Sequence, residues 1–524
     1  MHGQDGGSNY YRGIAWYRKT LTVPGSFTGK SITLQFAGSS LVSDLYVDGT
    51  FIVEHRGAFG AWGVDLSNAL APGPQHLIAV KMDNSSSLSP TVAPQSADFN
   101  VNGGIYRKVT LLGTDKDHIN TTDFGSSRVY FSSPTVSPAS ASVQVRTGLT
   151  NATATAQSLL VRSVLVDASG TIVSQMENTQ PLGAGQTLSL TQSGTVANPH
   201  LWNGRPDPYL RDLYVEIHDA TTNQLLDLVH QRVGIRSYAI SPTQGILLNG
   251  VPYDLHGVNM HQDRLNEAWA ISDADKIQDI NLVLEIGATM LRTAHYEQNQ
   301  LTYDLCDQYG LVVWAEIPNV NSSSTGAYTT NIQDQLRELI RQNYNHPSII
   351  VWSVYNEVSD NATNDNVVTT LNNLALHVDE RIVLAIGIDI AARRTLAPQI
   401  RSPYCFTSLG RYRSVAPATS IISRTPVRLS SREAPRPADD LPARARAPGF
   451  GYGKTTFGSP VAPGGVLGVV IDSALAALLG VHVVSPGRFT SRPRCWAAAT
   501  SAPGGGPFLT TSRRRSIACL PSGV

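Results

Sequence analysis

The residues best placed for chemistry are Asn356 and Glu357, which end the run IIVWSVYNE at Ile349–Glu357. Ile349, Ile350, Val351 and Trp352 read as a buried strand, so the Asn–Glu pair leaves at its C-terminal end. Parallel β/α barrels carry their catalytic groups at that end, because the loops there face substrate and the opposite face only stabilises. A glutamate in that position can give or take a proton. The plain alternative is a strand end that caps the next helix, which the pattern places at about Asn364 to Asp379. The elements upstream decide between the two.

From about residue 241 the rhythm is strand, helix, strand. YDLHGVN is followed by DADKIQDINLVLEIG, ATMLRTAH by QLTYDLCDQYG, and LVVWAEIPN by NIQDQLRELIRQNYN, before IIVWSVYNE. Helices of this length between short apolar strands imply parallel βα units. There are four such units where a closed barrel needs eight. Ahead of them, residues 1–114 alternate apolar and polar residues at period two, with turns at Asp48-Gly49 and Pro72-Gly73-Pro74. That pattern predicts an antiparallel sandwich of jelly-roll type. Tyr10, Tyr11 and Trp62 are its candidates for stacking on sugars, with core or interface packing as the plainer role. Residues 118–236 show short strands at regular spacing, the pattern of an immunoglobulin-like sandwich without the antibody cysteine pair. The fold class is thus multidomain β followed by α/β, with residues 241–380 supplying the first half of a TIM barrel.

Over the 524 residues, 40 Lys and Arg balance 40 Asp and Glu, so charge gives no case for nucleic acid or an anionic membrane. No uninterrupted apolar run reaches the roughly 18 residues a membrane span needs. The opening MHGQDGGSNYYRG lacks a signal-peptide pattern, which leaves the cytoplasm as the default compartment. Cys306, Cys405, Cys495 and Cys519 follow neither a metal-site nor a disulfide spacing. After about residue 380 Asn and Met vanish, Lys occurs only at Lys454, and Arg, Pro, Ala and Ser rise. Residues 381–524 then read either as a disordered Arg/Pro-rich tail or as DNA translated out of frame. The second fits better, because the change falls inside an unfinished repeating pattern.

With these stretches in hand, the chain resembles glycoside hydrolase family 2, which holds β-galactosidases, β-glucuronidases and β-mannosidases. The residues that carry the resemblance are GIAWYRKTLTVP, NGGIYRKVTL, VGIRSYAI, GILLNGVPYDLHGVNMHQD, GATMLRTAHY, CDQYGLVVWAEIP and NHPSIIVWSVYNE. Their order and spacing cover residues 1 to about 379, and the Arg/Pro-rich tail matches nothing in the family. The resemblance implies retaining hydrolysis of a terminal β-glycosidic bond, with a β-galactoside as the expected substrate. It makes Glu357 the acid/base and places Asn356 on the sugar 2-hydroxyl. A retaining site also needs a second carboxylate about 5–5.5 Å away as nucleophile. The family carries that glutamate on the seventh barrel strand, which this sequence lacks, so impaired activity is expected. The competing expectation is a non-catalytic, carbohydrate-binding or inert remnant.

Other positions follow from the same likeness. Arg292, His295 and His261 match substrate-side residues, and Glu316 matches a residue that orders the site. For the two histidines, a hydrogen-bonded place on the barrel rim is the structural alternative. Trp314 and Trp352 are candidates for a sugar platform, with core packing as the commoner fate of strand tryptophans. The Glu and His spacing that serves magnesium in some members is not evident after Trp314, so neither metal nor cofactor is expected. The expected partner is carbohydrate, not nucleic acid or membrane, and a homo-oligomer is compatible with the sequence.

Overall fold

Alternation at period two builds the first sandwich. In Ile14–Thr22 the even positions point outward and Leu21 inward, and the strand pairs antiparallel with Gln75–Asp83 along its whole length. Val42–Val47 and Thr50–Arg56 extend that sheet through a tight turn at Asp48 and Gly49. Both turn residues have positive φ, the backbone that two-residue hairpins need. The facing sheet holds Val109–Thr114, Ser31–Phe36 and Trp62–Asp65. Phe27, Leu34, Phe36, Leu45, Val80 and Leu111 fill the space between the sheets.

The computed structural model describes residues 11–95, 97, 99–241, 244–264, 267–359, 361–379, 381, 385–388 and 516–519. Within the stretch expected as a disordered tail, Ser516–Cys519 forms a strand against Val109–Thr114. This corrects the expectation for those four residues, because the free edge of Val109–Thr114 offers unpaired backbone groups to any extended segment. Ala385–Ile388, in the same stretch, is also a strand; the rest of that expectation, for residues 382–384, 389–515 and 520–524, lies outside the described residues.

The second sandwich packs Ser140–Asn151, Thr187–Ala197, Asp117–Ile119 and Val129–Ser132 against a sheet of Ile172–Leu182, Gln157–Val166, Arg211–Asp219 and Leu225–Val233. Its core is Val143, Val145, Leu159, Val161, Leu213 and Ile217, again every second residue along each strand. Trp202, fully buried, donates its Nε1 to the Asp307 carbonyl 2.9 Å away and so joins this region to the barrel.

The barrel part is a parallel sheet of five strands in sequential order: Gly257–Met260, Met290–Thr293, Val312–Glu316, Ile349–Asn356 and Ala385–Ile388. The fifth strand lies beyond the change in composition near residue 380, so the βα pattern runs one strand further than its periodicity indicated. Gly257 must be glycine, since a Cβ there would lie 1.8 Å from the Met290 carbonyl oxygen. Four helices follow the first four strands: α1 (Asp273–Glu285), α2 (Gln300–Tyr309), α3 (Ala327–Asn343) and α4 (Ala362–Val378). Side-chain acceptors start three of them. Ser272 and Asp275 make a capping box for α1, Asn299 caps α2 and Asn361 caps α4. Leu291, Val313, Ala315, Trp352 and Val354 share one core with Ile332, Leu336 and Leu339 of α3. The register Asn259–Arg292–Trp314 places these three on the opposite, concave face of the sheet.

Candidate active site

The concave face becomes polar toward the C-terminal strand ends. Arg292 on the second strand and Glu316 on the third are both buried. Arg292 donates Nη2 to both Glu316 carboxylate oxygens, at 2.8 and 2.7 Å, and Nε to Oε2 at 3.1 Å. His295 Nδ1 lies 2.7 Å from Glu316 Oε1, and Ser353 Oγ donates to Oε2 at 2.8 Å. Burial by itself would raise the Glu316 carboxyl, but Arg292 and His295 outweigh it and hold the group below the usual range. Glu316 is therefore a fixed anion that orients its neighbours.

Arg292 Nη2 also donates to Asn356 Oδ1 at 2.8 Å. That bond fixes the amide oxygen inward and leaves the Asn356 amide nitrogen as a donor. The backbone of Asn356 is held as well. Its N–H donates to the Asn319 carbonyl, and its own carbonyl accepts from Asn321 N–H, both at 2.9 Å. Glu357 then adopts φ of +54°, the left-handed region, directly after the strand. A glutamate pays roughly 1–2 kcal/mol for that backbone, and such residues cluster at functional sites. The loop after the third strand thus clamps the fourth strand's exit, where Glu357 is half-buried.

Three of the sequence-derived site residues, Asn356, Arg292 and His295, join one hydrogen-bonded network through Glu316. His261 stands beside it. Its ring meets His295 at 5.3 Å between centroids, and its Nδ1 lies 3.1 Å from the Tyr296 hydroxyl. Trp352 is no sugar platform, for it faces the helix layer and donates Nε1 to Asp379 Oδ2 at 3.2 Å. Trp314 packs with Trp202, Leu248 and Ile350, beneath the Arg292 guanidinium, which sits 5.9 Å from its ring centroid. Trp62 is likewise core, stacked between Phe36 and His55. Tyr11 is exposed, and Tyr10 lies outside the described residues.

Sequence reasoning passed over Phe99 and Ser353. Phe99 comes from the first sandwich, and its ring lies 5.5 Å from His261 and 6.3 Å from His295. No local pattern marks a contact across so many residues. Among the described residues Asp304, Asp307 and His346 bring three metal-type donors within 4.8 Å of one another. Two of these residues already serve each other and the backbone. His346 Nδ1 lies 2.6 Å from Asp307 Oδ2, and Asp307 Oδ1 accepts from Ser348 N–H at 3.0 Å. Burial would lower the imidazole, but Asp307 outweighs it and raises it.

Comparison with known proteins adds to this geometry. Residues 240–392 match the model of the glycosyl hydrolases family 2 TIM barrel domain, residues 127–236 that of glycosyl hydrolases family 2, and residues 5–115 that of its sugar binding domain. The chain belongs to glycosyl hydrolase family 2. A β-glucuronidase of Bacteroides fragilis is 34% identical over 380 residues, which are 71% of this chain and 54% of that relative. A β-galactosidase of Thermoanaerobacter pseudethanolicus is 26% identical over 374 residues, 70% of this chain and 48% of the relative. The crystal structure of a Bacteroides uniformis β-glucuronidase superposes with a TM-score of 0.68 at 30% identity, covering 71% of this chain and 46% of that one. The chain spans about half the length of the curated relatives it matches.

Proposed function

We propose that residues 1–388 form the acid/base half of a retaining β-glycosidase site. The proposed units are a sandwich over 1–114, a second over 118–236 and the barrel part from 241. One observation carries the reading: Asn356 and Glu357 leave the fourth strand where the loop after the third strand holds both the N–H and the carbonyl of Asn356, with the Asn356 amide locked by Arg292. Glu357 protonates the leaving oxygen and then deprotonates water. The Asn356 amide nitrogen donates to a sugar hydroxyl, and His295 and His261 line the same side. Glu316 is unsuited to be the nucleophile, since both its oxygens accept charge-assisted hydrogen bonds. The reading therefore requires a second carboxylate from beyond this network.

The family resemblance led to the expectation of a β-galactoside, whereas the 34% and 30% identical relatives are named β-glucuronidases. A β-glucuronide is accordingly the first substrate to try and a β-galactoside the second. The test joins residues 1–388 to the matching C-terminal part of the Bacteroides fragilis relative and assays chromogenic β-glycosides. Turnover that collapses in Glu357→Gln supports the reading. A folded, active chimera indifferent to that substitution would end it. The 524-residue chain by itself is expected to be a poor catalyst, and robust hydrolysis by it would locate the second carboxylate within residues 389–524.

A further inference from the structure

A cavity of about 190 Å³ lies between the second sandwich and the barrel helices. Arg128, Tyr130, Arg146 and Ser189 line it from the sandwich, Arg341 from α3 and His377 from α4. The three guanidinium groups are always charged. Asp123 is the carboxylate that answers them, accepting from Arg128 Nη1 at 2.6 Å and from Arg341 Nη1. Three cations against one anion leave a surplus of two positive charges, before His377 is considered. Arg146 is exposed and makes no ion pair or hydrogen bond among the described residues, but its guanidinium covers the Tyr130 ring at 4.8 Å. Arg341 covers the Phe124 ring at the same distance. Stacking occupies a face of these planar groups and leaves N–H edges for other partners, those of Arg341 apart from the Nη1 that serves Asp123, and such edges grip a carboxylate, phosphate or sulfate by paired hydrogen bonds. The helix offers no such attraction, because α4 presents its C-terminal, partly negative end here.

We propose that this cavity is a binding site for a tetrahedral oxyanion of two negative charges. Phosphate and sulfate match the surplus of two, whether free or as an ester on a sugar. A cavity of about 190 Å³ leaves space beside the ion for the group that an ester carries.

The test is isothermal titration calorimetry of the 524-residue chain with inorganic phosphate, inorganic sulfate and galactose 6-sulfate, at ionic strength matched with sodium chloride. Saturable binding of at least one oxyanion is expected. Arg146→Ala should weaken it about ten- to hundredfold, the worth of one or two charge-assisted hydrogen bonds. Arg146→Lys should fall between, since it keeps the charge and loses the planar fork. Both variants alter an exposed side chain whose contact in the described fold is the Tyr130 ring, and circular dichroism checks that they fold. Tighter binding of the ester than of sulfate assigns the site to a sugar ester; equal binding assigns it to the free ion. No saturable binding of any oxyanion, or binding that Arg146→Ala leaves unchanged, overturns the proposal.

Discussion

Glu316 shows why one arginine matters so much at this site. Its carboxylate is fully buried and is held as an anion by Arg292, His295 and Ser353. Arg292→Ala would leave that charge buried with its main partner gone, at a cost of about 3–5 kcal/mol. Urea denaturation should show the loss, and a cost below about 1 kcal/mol would mean that solvent already screens the pair. Because the folded carboxyl sits below its ordinary 4.5, its stabilisation is present above that value and lost as pH falls through the depressed one. At Glu357 the expected effect is kinetic. In the active chimera Glu357→Gln should cost roughly 10²–10⁴-fold in the first step on natural glycosides, and far less on substrates whose leaving group needs no proton. Stopped-flow rates across leaving groups of different acidity check this; an equal loss on all of them would remove the acid role. The apolar run Ile349–Trp352 made a strand legible with Asn356 and Glu357 at its exit, while the roles expected of the pair came from the family resemblance. The fixed-anion role of Glu316 was only partly legible, since it depends on Arg292 and His295 from another strand and its loop.

At the scale of elements, the turn between the second strand and α2 holds an unusual acid. Glu297 is buried and accepts from Asn343 Nδ2, at the end of α3, at 2.7 Å. Burial pushes its carboxyl up to about 8, and the Asn343 hydrogen bond opposes the shift without overcoming it. Glu338 adds to the rise, while Arg107 and His346 act against it. A carboxyl raised above its ordinary 4.5 keeps its proton longer in the folded state. It therefore costs stability as pH climbs from about 4.5 to about 8. Glu297→Gln keeps the acceptor for Asn343 and removes the charge. Melting temperatures should rise in the variant, more at pH 8 than at pH 5, and an equal change at both would exclude ionisation of Glu297 as the cause. The sequence did not disclose this group. Periodicity identifies which helix face is apolar, but not which polar residue of a following turn ends beneath another helix. The same limit explains Trp314 and Trp352, since alternation cannot say which face of a parallel strand meets helices.

At the scale of the whole molecule, α3 joins the pieces. Its apolar stripe, Ile332, Leu336 and Leu339, packs on the barrel sheet, as the 3.6-residue period implied. Its polar side reads the first sandwich. Asn331 Oδ1 accepts from Ala93 N–H at 2.9 Å, Asn331 Nδ2 donates to the Arg56 carbonyl at 2.7 Å, and Gln342 bonds both backbone groups of Ala61. The order of sandwich, sandwich and parallel barrel strands was legible because each has its own periodicity. These cross-links were not, because polar residues on a helix surface look alike whether they meet water or a neighbour. The link bears on the site, for the segment that Asn331 holds at Ala93 leads to Phe99, whose ring touches His261 and His295. Asn331→Ala would leave the buried Ala93 N–H without its acceptor, at about 1–3 kcal/mol. Much of that should appear as local opening, because the sandwich core of Leu34, Phe36 and Leu111 does not depend on Asn331. Hydrogen exchange followed by mass spectrometry should then quicken in the stretch around 91–101, with the second sandwich unchanged. Exchange that quickens evenly along the chain would mean that α3 stabilises the fold as a whole rather than clamping this segment. Unchanged exchange at 91–101 would mean that Phe99 is held against the histidines by its own packing.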